Sequence, residues 1–150
     1  MSDLSLNNFK IGNQESMTLM GGVNVLESDS VVMKVAEKFA ETTSRLKINW
    51  IFKGSYDKAN RSSIASYRGP GLEEGLRMLE KVKSEFDVPI VTDIHEPSQA
   101  EPVSKVSDVI QIPAFLCRQT DLVAAAANTQ MIIQFKKPQF LSAIEMKNVI

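Results

Sequence analysis

The sequence is poor in several residue types, and each shortage narrows what the protein can do. It has one cysteine, one histidine and one tryptophan among 150 residues. The single cysteine, Cys117, excludes an intramolecular disulfide framework, and the paired cysteines of a zinc site are missing as well. An excess of charge of one sign is also lacking, because 17 basic residues are balanced by 18 acidic ones. The composition therefore gives no general reason to bind nucleic acid or an anionic membrane.

Long hydrophobic runs are missing too. No stretch of about 18 apolar residues predicts a membrane span, and no basic start followed by an apolar run predicts a signal peptide. We therefore expect a cytoplasmic protein that has neither a membrane nor a nucleic acid as its partner. The 43% hydrophobic content is enough to bury a core, so residues 1–150 are expected to form a single domain.

Short apolar runs alternate with segments of helical period after a polar extension of residues 1–17. Within this extension, residues 9–12 could form one arm of a small hairpin. The predicted strands are residues 18–22, 49–53, 89–93, 108–112 and 131–135. Because these runs are nearly all apolar, they are typical of parallel strands that are buried on both faces.

The helices are predicted to lie between and after these strands. The first has Ser28 or Asp29 as its N-cap, and the second spans about residues 72–86. Their inward positions are expected to be Val31, Val32, Val35, Phe39 and Leu46 in the first helix, and Leu72, Leu76, Leu79 and Val82 in the second. Further helices are predicted near 97–106 and 119–128, and a last one starts near 142 and is still running at 150.

Parallel strands that alternate with helices indicate an α/β protein, either a doubly wound sheet or a (β/α)₈ barrel. About five βα units are present, whereas a barrel of eight units typically needs about 250 residues. The chain also stops within a helical pattern that has no glycine stop. We therefore expect the sequence to be incomplete at its C-terminal end.

Basic side chains mark the place where a ligand is expected. In both parallel architectures the site lies at the C-terminal ends of the strands. The strand ends and the long polar loop of residues 54–70 carry Lys53, Lys58, Arg61, Lys136 and Lys137. Several positive charges around one mouth would form an anion site in a partly desolvated cleft. The alternative is that the strand-end lysines reach solvent or pair with Asp57 and Asp93.

Two shorter patterns leave their meaning open. Asp93 and His95 are two residues apart, so both side chains should face the same side if the strand continues. This spacing suits a metal pair or an acid/base pair, but a solvated strand end explains it equally well. The pair Gly21-Gly22 would permit a close approach to a ligand, or it could mark a bulge or turn. Cys117 lies in an apolar stretch and is interpreted as a packing residue.

The long loop carries the most specific motif in the sequence. Residues 52–63 read FKGSYDKANRSS, and residues 67–75 read YRGPGLEEG. Further motifs follow the same order, with GGVNVLES at 21–28, TDIHEPSQA at 92–100, QIPAFLCRQTDL at 111–122 and KKPQF at 136–140. From about residue 20 to the end, the chain resembles the 3-deoxy-D-manno-octulosonate 8-phosphate synthases.

The resemblance implies a (β/α)₈ barrel of which this chain supplies about the first five βα units. Enzymes of that family join phosphoenolpyruvate to D-arabinose 5-phosphate and release phosphate, a step of lipopolysaccharide synthesis in the bacterial cytoplasm. By matched position, Lys53, Lys58 and Lys136 would hold phosphoenolpyruvate. The main chain near Ala114 would help its anionic groups, and Gln111 would line the pocket.

The sugar phosphate is assigned to other matched residues. The resemblance implies that Asn60 and Asp93 contact the sugar or the reacting centre, and that Arg61 and Ser62 bind its phosphate. In this family the loop reaches the active site of a neighbouring subunit, which implies a homo-oligomer, expected to be a tetramer. The catalytic set implied by the resemblance is Asn24, Lys58, Asn60 and Asp93.

Asn24 also implies that no metal or other cofactor is needed. The metal-dependent branch of the family carries a cysteine at this position, whereas the metal-independent branch carries asparagine. Cys117 lies elsewhere in the sequence and does not replace that ligand. The expected cofactor content is therefore none.

Two alternatives stay open at the level of sequence. One is the related condensation with erythrose 4-phosphate, whose loop usually reads lysine-proline-arginine followed by threonine or serine, where this chain has alanine-asparagine-arginine-serine at 59–62. The other is a half-barrel that serves only for binding or assembly. Because further groups of the family's site come from later strands, the 150-residue chain by itself is expected to be inactive.

Overall fold

The computed structural model describes residues 4–7 and 9–149. The chain divides into two compact units, Met1–Val91 and Thr92–Ile150. The expectation of a single domain is not tested by this division and stays a prediction. In the described residues, no helix has both the length and the apolar character that crossing a bilayer requires.

The first unit begins with a hairpin and continues with parallel strands. Strand β1 (Leu4–Leu6) pairs antiparallel with β2 (Phe9–Ile11), which confirms the predicted hairpin arm. Strands β3 (Thr18–Gly22) and β4 (Asn49–Lys53) have the predicted bounds and pair in parallel. Strand β5 (Ile90–Asp93) pairs with β4 in parallel through its first two residues and carries the chain into the second unit.

Helix α1 (Asp29–Leu46) starts where the capping pattern predicts. The backbone N–H of Val31 donates a hydrogen bond to Ser28 Oγ at 3.4 Å, which satisfies one of the free donors of the first turn. The helix ends at Lys47, which adopts the left-handed conformation with φ 54°. Local sequence therefore determines the start of this helix, whereas its end depends on a lysine in a conformation that favours glycine or asparagine.

The inward face of α1 is only partly the predicted one. Val32 and Ala36 are fully buried, but Val31 is 42% exposed and Leu46 is 55% exposed, so the prediction was wrong for these two. Val31 is one residue, about 100° of helical rotation, away from the buried line through Val32. Leu46 lies with Leu19 at an open apolar groove of about 440 Å³ beside β3.

Helix α2 (Leu72–Phe86) follows the long loop and packs against α1. Leu79 and Val82 are fully buried, as predicted. Leu72 and Leu76 are half-buried at the edge of the same face.

An aromatic cluster completes the core of the first unit. Trp50 stacks on Phe39 with 5.7 Å between ring centroids and meets Phe52 edge-on at 6.0 Å. The indole Nε1 donates a hydrogen bond to the carbonyl oxygen of Gly21 at 2.9 Å, so the buried polar atom of this side chain is satisfied. The cluster joins α1 to strands β3 and β4.

The second unit continues the alternation of strands and helices. After β5 come a 3₁₀ turn (Pro97–Gln99), helix α3 (Ala100–Ser104), strand β6 (Val109–Ile112), a second 3₁₀ turn (Ala114–Leu116), helix α4 (Thr120–Asn128) and strand β7 (Ile132–Phe135). Strands β6 and β7 pair in parallel. Strands β5, β6 and β7 each begin one residue later than predicted, within the usual uncertainty of element ends.

The last predicted helix is not formed. Residues 142–149 contain a turn and a single 3₁₀ helix, Glu145–Asn148. Ser142 and Glu145 cap each other, with 2.7 Å from Ser142 N to Glu145 Oε2 and 3.3 Å from Glu145 N to Ser142 Oγ. Only Met146 is buried among the described residues of this segment. One buried side chain is too little packing to extend a short helix.

Candidate active site

In the first unit, the C-terminal ends of β3 and β4 lie level with each other and with Val91 of β5, which runs two residues further to Asp93. Gly22 of β3 is opposite Lys53 of β4, and Lys53 is opposite Val91 of β5. The backbone N–H of Val23 donates to the carbonyl oxygen of Lys53 at 2.9 Å. This alignment places Lys53 at the strand ends, as predicted, with Asn24 exposed two residues beyond Gly22.

Gly22, at the end of β3, is required by a close backbone contact that the sequence did not reveal. A Cβ atom on Gly22 would lie 2.2 Å from the carbonyl oxygen of Lys53. The missing side chain therefore allows two backbones to approach each other. The sequence had left open a close approach to a ligand, a bulge or a turn.

Lys53 is held by its own loop. Its Nζ donates a hydrogen bond to Ser55 Oγ at 2.5 Å, and Ser55 is fully buried. A half-buried ammonium group with an oriented hydroxyl beside it has a restricted direction. Lys53 is thus arranged as a directed cation at the strand end.

The two ends of the loop after β4 are joined to each other at what we call the neck, residues 56–58 and 68–71. The backbone N–H of Lys58 donates to the carbonyl oxygen of Arg68 at 2.7 Å, and that of Gly71 donates to Tyr56 at 3.1 Å. The Arg68 guanidinium binds both carboxylate oxygens of Asp57, at 2.8 Å from Nε and 2.5 Å from Nη2. These hydrogen bonds and the charge of Asp57 raise the pKa of Arg68.

The tip of this loop presents three predicted site residues. Asn60, Arg61 and Ser62 are all exposed, and none of them belongs to a helix or strand. The loop has ends that meet, as in an Ω-loop, a form that is frequently functional, but its tip is exposed. Exposed amide, guanidinium and hydroxyl groups are suitable ligands for a phosphate.

In the second unit, three further strand ends are hydrogen-bonded neighbours. The backbone N–H of Ile94 donates to the carbonyl oxygen of Gln111 at 3.2 Å, and that of Lys136 donates to Ile112 at 3.1 Å. Asp93, Gln111 and Lys136 therefore follow one another across the ends of β5, β6 and β7. The first two are 5% and 6% exposed, whereas Lys136 is exposed.

Asp93 and His95 face each other, as their spacing predicted. His95 Nε2 lies 3.3 Å from Asp93 Oδ2, and both side chains are largely buried. The turn that follows is held by Gln99, whose Oε1 accepts hydrogen bonds from the backbone N–H groups of His95 at 2.7 Å and Glu96 at 3.2 Å. A buried carboxylate beside an imidazole can orient a substrate hydroxyl or take part in proton transfer.

The remaining predicted residues lie in the loop after β6. Ala114 is half-buried and begins the 3₁₀ turn, while Cys117 is buried and free of any disulfide, in agreement with a packing role. Within residues 4–7 and 9–149, no three His, Cys, Asp or Glu side chains are grouped closely enough to hold a metal ion. The role of the main chain near Ala114 stays a prediction.

The structure thus places the predicted cations on two units. Lys53, Lys58 and Arg61 belong to the first unit, and Lys136 belongs to the second. The sequence predicts that these cations line a single anion site. Because they belong to two units, this stays a prediction.

Several site features were missed by the sequence analysis. The partner of Asp57 is Arg68, eleven residues later, and Tyr67 Oη donates to the carbonyl oxygen of Leu26 at 3.1 Å. Neither pairing follows a helical or strand period. The one available signal was the length of the loop, which indicates function without indicating which side chains pair.

Comparison with known proteins is consistent with these features. A model of the DAHP synthetase I family matches residues 2–150. The 2-dehydro-3-deoxyphosphooctonate aldolase of Colwellia psychrerythraea is 56% identical over 150 residues, which is 100% of this chain and 54% of that protein. Proteins of the same name from Pseudoalteromonas translucida and Psychromonas ingrahamii are 55% and 57% identical over 147 residues, or 98% of this chain and 52% of theirs. The chain spans about half the length of these curated relatives.

Proposed function

This chain belongs to the DAHP synthetase I family, and from that premise we propose that the complete protein condenses phosphoenolpyruvate with D-arabinose 5-phosphate. The products are 3-deoxy-D-manno-octulosonate 8-phosphate and inorganic phosphate, and the reaction belongs to lipopolysaccharide biosynthesis. The family fold is a (β/α)₈ barrel, and this chain supplies about five of its βα units. The names of the curated relatives support this choice of reaction.

The reaction needs positioning and charge stabilisation and no covalent nucleophile. C3 of phosphoenolpyruvate bonds to the aldehyde carbon of the sugar, water adds at C2, and phosphate leaves from C2. Both substrates are anions, and charge shifts between carboxylate, phosphate and carbonyl oxygens along the path. Fixed cations that are aimed at these oxygens lower the barrier because they need no reorganisation during the reaction.

The residues at the strand ends are assigned to phosphoenolpyruvate. We assign Lys53, Lys58 and Lys136 to its phosphate and carboxylate, with the main chain at Ala114 and the amide of Gln111 completing the pocket. Among these, Lys53 is the one whose direction is supported best, since the buried Ser55 hydroxyl holds its Nζ.

The sugar phosphate is assigned to the loop tip and to Asp93. Arg61 and Ser62 bind its phosphate group, and Asn60 and Asp93 contact the sugar at or near the reacting carbon. The single observation that carries the proposal is the polar strand-end set of an otherwise apolar sheet, with Asp93 buried beside His95. A buried carboxylate needs paired or hydrogen-bonded partners, and His95 Nε2, 3.3 Å from Asp93 Oδ2, is one of them.

Three further properties belong to this proposal. From Asn24 we propose that the reaction is metal-independent, so a chelator should leave the rate unchanged.

The loop tip is proposed to act across a subunit interface in a homo-oligomer, expected to be a tetramer, which sedimentation of the complete protein would test. The location proposed is the cytoplasm.

The deciding experiment measures phosphate release from phosphoenolpyruvate. It compares the 150-residue chain with a chain extended to a full barrel by the C-terminal half of the Colwellia relative. We expect release with D-arabinose 5-phosphate from the extended chain and none from the 150-residue chain. If the extended chain folds and releases no phosphate with either sugar, the enzyme proposal is wrong.

Erythrose 4-phosphate is the second candidate substrate, because the family description names DAHP synthetase. The same assay discriminates the two, since it is run with each sugar in turn. Asn60, where the heptulosonate enzymes usually carry proline, favours the five-carbon sugar. A rate with erythrose 4-phosphate above that with arabinose 5-phosphate would reverse the assignment.

A further inference from the structure

The Asp57–Arg68 ion pair closes the neck of the loop that carries Lys58 and the tip, residues 59–66. One side of this neck is anchored in the core, because Tyr56 is 1% exposed and its carbonyl oxygen accepts a hydrogen bond from Gly71. The other side returns at Arg68, whose carbonyl oxygen accepts from Lys58 at 2.7 Å. The backbone therefore brings the two ends together, and the ion pair lies at the point of closure.

The geometry of the Asp57–Arg68 pair restricts the orientation of both side chains as well as the distance between them. Nε and Nη2 of Arg68 bind the two oxygens of Asp57 in parallel, at 2.8 Å and 2.5 Å. A planar guanidinium that binds a carboxylate in this way resists rotation about either side chain. Because Lys58 is the residue next to Asp57, fixing Asp57 also limits the directions that the Lys58 side chain can take.

The tip has little packing of its own. Ile64 is fully exposed, so no apolar contact of this side chain holds residues 59–66 in place. Within the tip, Ser66 N donates to the carbonyl oxygen of Ser63 at 3.1 Å, and Ala65 N donates to Ser63 Oγ at 3.3 Å. These short-range bonds shape a turn, and what joins this turn to the rest of the protein is the neck together with the hydrogen bond from Tyr67 Oη to the carbonyl oxygen of Leu26 at 3.1 Å.

We propose, on the basis of the function proposed above, that the Asp57–Arg68 pair is a latch that positions Lys58 and the loop tip for the reaction. The two residues are positioning residues and contact neither substrate. Their contribution to global stability is small, since the Arg68 side chain is 57% exposed and such pairs are screened by solvent. Their contribution to activity is larger, because a displacement of about 1 Å in a positioning group can cost about 100-fold in rate.

The test combines loop protection in the 150-residue chain with kinetics in the extended chain. The variants are Asp57→Asn, Arg68→Lys, and the reversed pair Asp57→Arg with Arg68→Asp. The matched control is Glu41→Gln, which removes another exposed ion pair, Lys38–Glu41 at 2.7 Å, from α1. Hydrogen exchange is followed at the Lys58 amide and at residues 59–66, and kcat and KM are measured for both substrates.

Asp57→Asn should speed exchange in the tip by roughly 10-fold and lower kcat/KM by about 10-fold to 100-fold, with an unchanged melting temperature. Arg68→Lys should be intermediate because lysine cannot bind both oxygens in parallel, and the reversed pair should recover part of the loss. Glu41→Gln should change none of these quantities. Asp57→Asn with parental exchange and kinetics, or Glu41→Gln with the same losses, would overturn the latch.

Failure of the latch is distinguishable from failure of the proposed function. If the parent extended chain releases no phosphate, the function is wrong and the catalytic part of the latch proposal falls with it, while the exchange data still decide whether the pair orders the loop. If the parent is active and Asp57→Asn is equally active with an equally protected tip, the latch alone is wrong.

Discussion

Asp93 and Gln111 of the second unit reach their positions on buried strands, where they are 5% and 6% exposed. Asn60 and Arg61 of the first unit are exposed on a loop that is closed by an ion pair. A side chain on a strand is fixed by the packing of the whole sheet, whereas one on a loop is fixed by a few local bonds. The strand residues should therefore act on the chemical step at fixed geometry. The loop residues should be sensitive to loop order, and Arg61 among them should act on binding of the sugar phosphate.

The largest effect is expected where a buried carboxylate is lost. Asp93→Asn removes the negative charge beside His95 Nε2 but keeps the shape of the side chain. We expect kcat of the extended chain to fall by about 10²-fold to 10⁴-fold, with little change in KM. Steady-state kinetics measure this, and Asp121→Asn, at an exposed position of the same unit, is the control. Retention of parental kcat would show that the strand-borne carboxylate takes no part in the reaction.

A smaller effect of a different kind is expected at the loop tip. Arg61→Ala removes an exposed cation, so the fold should be unaffected. We expect KM for the sugar phosphate to rise by about 10-fold to 100-fold, the usual loss for a charge-assisted hydrogen bond, while KM for phosphoenolpyruvate stays the same. Arg45→Ala on α1 is the matched control for loss of a surface arginine. An equal rise in both KM values would mean that Arg61 does not distinguish the two substrates.

The loop can also be disturbed through its backbone. Gly69 has φ +127°, and a Cβ there would lie 2.2 Å from the carbonyl oxygen of Tyr56. Gly69→Ala should lower the free energy of unfolding by about 1–3 kcal/mol, measured by urea denaturation. Gly71→Ala is the control, since its φ is also positive at +89° but a Cβ would meet nothing within 4 Å. Equal losses for both would assign the effect to backbone strain and not to the tight neck.

The smallest effect concerns acid stability in the first unit, away from the loop. The hydrogen bond from Arg77 is the main cause that lowers the pKa of Asp29 below its usual range; desolvation opposes it, and a weaker hydrogen bond from Lys81 adds to the lowering. A lowered pKa in the folded state adds stability above the unfolded value and loses it as the pH falls below about 4. Thermal melts should therefore show Asp29→Asn melting roughly 1–3 °C lower than the parent at pH 7, with the difference shrinking as the pH falls below about 4. A difference that grows towards pH 3 would contradict this.

Most of the secondary structure could be predicted from the sequence. The bounds of β3, β4 and α2 agree with the structure because apolar runs, helical period and breakers determine them locally. The prediction of a helix in residues 142–149 was wrong because only one buried side chain, Met146, supports that helical pattern among the described residues. The predicted burial of Val31 and Leu46 was wrong because a run of apolar residues does not show where the buried face of a helix ends.

The sequence alone determined the alternation of strands and helices, the polar residues at the strand ends and the motifs of the long loop. Those features depend on period and composition, which act between near neighbours. Tertiary structure alone decided that Asp57 binds Arg68, that Gly22 gives room to the backbone of Lys53, and that Gln99 holds the turn after Asp93. Such pairings depend on where loops close in space, and neither loop closure nor backbone contact leaves a periodic trace in the chain.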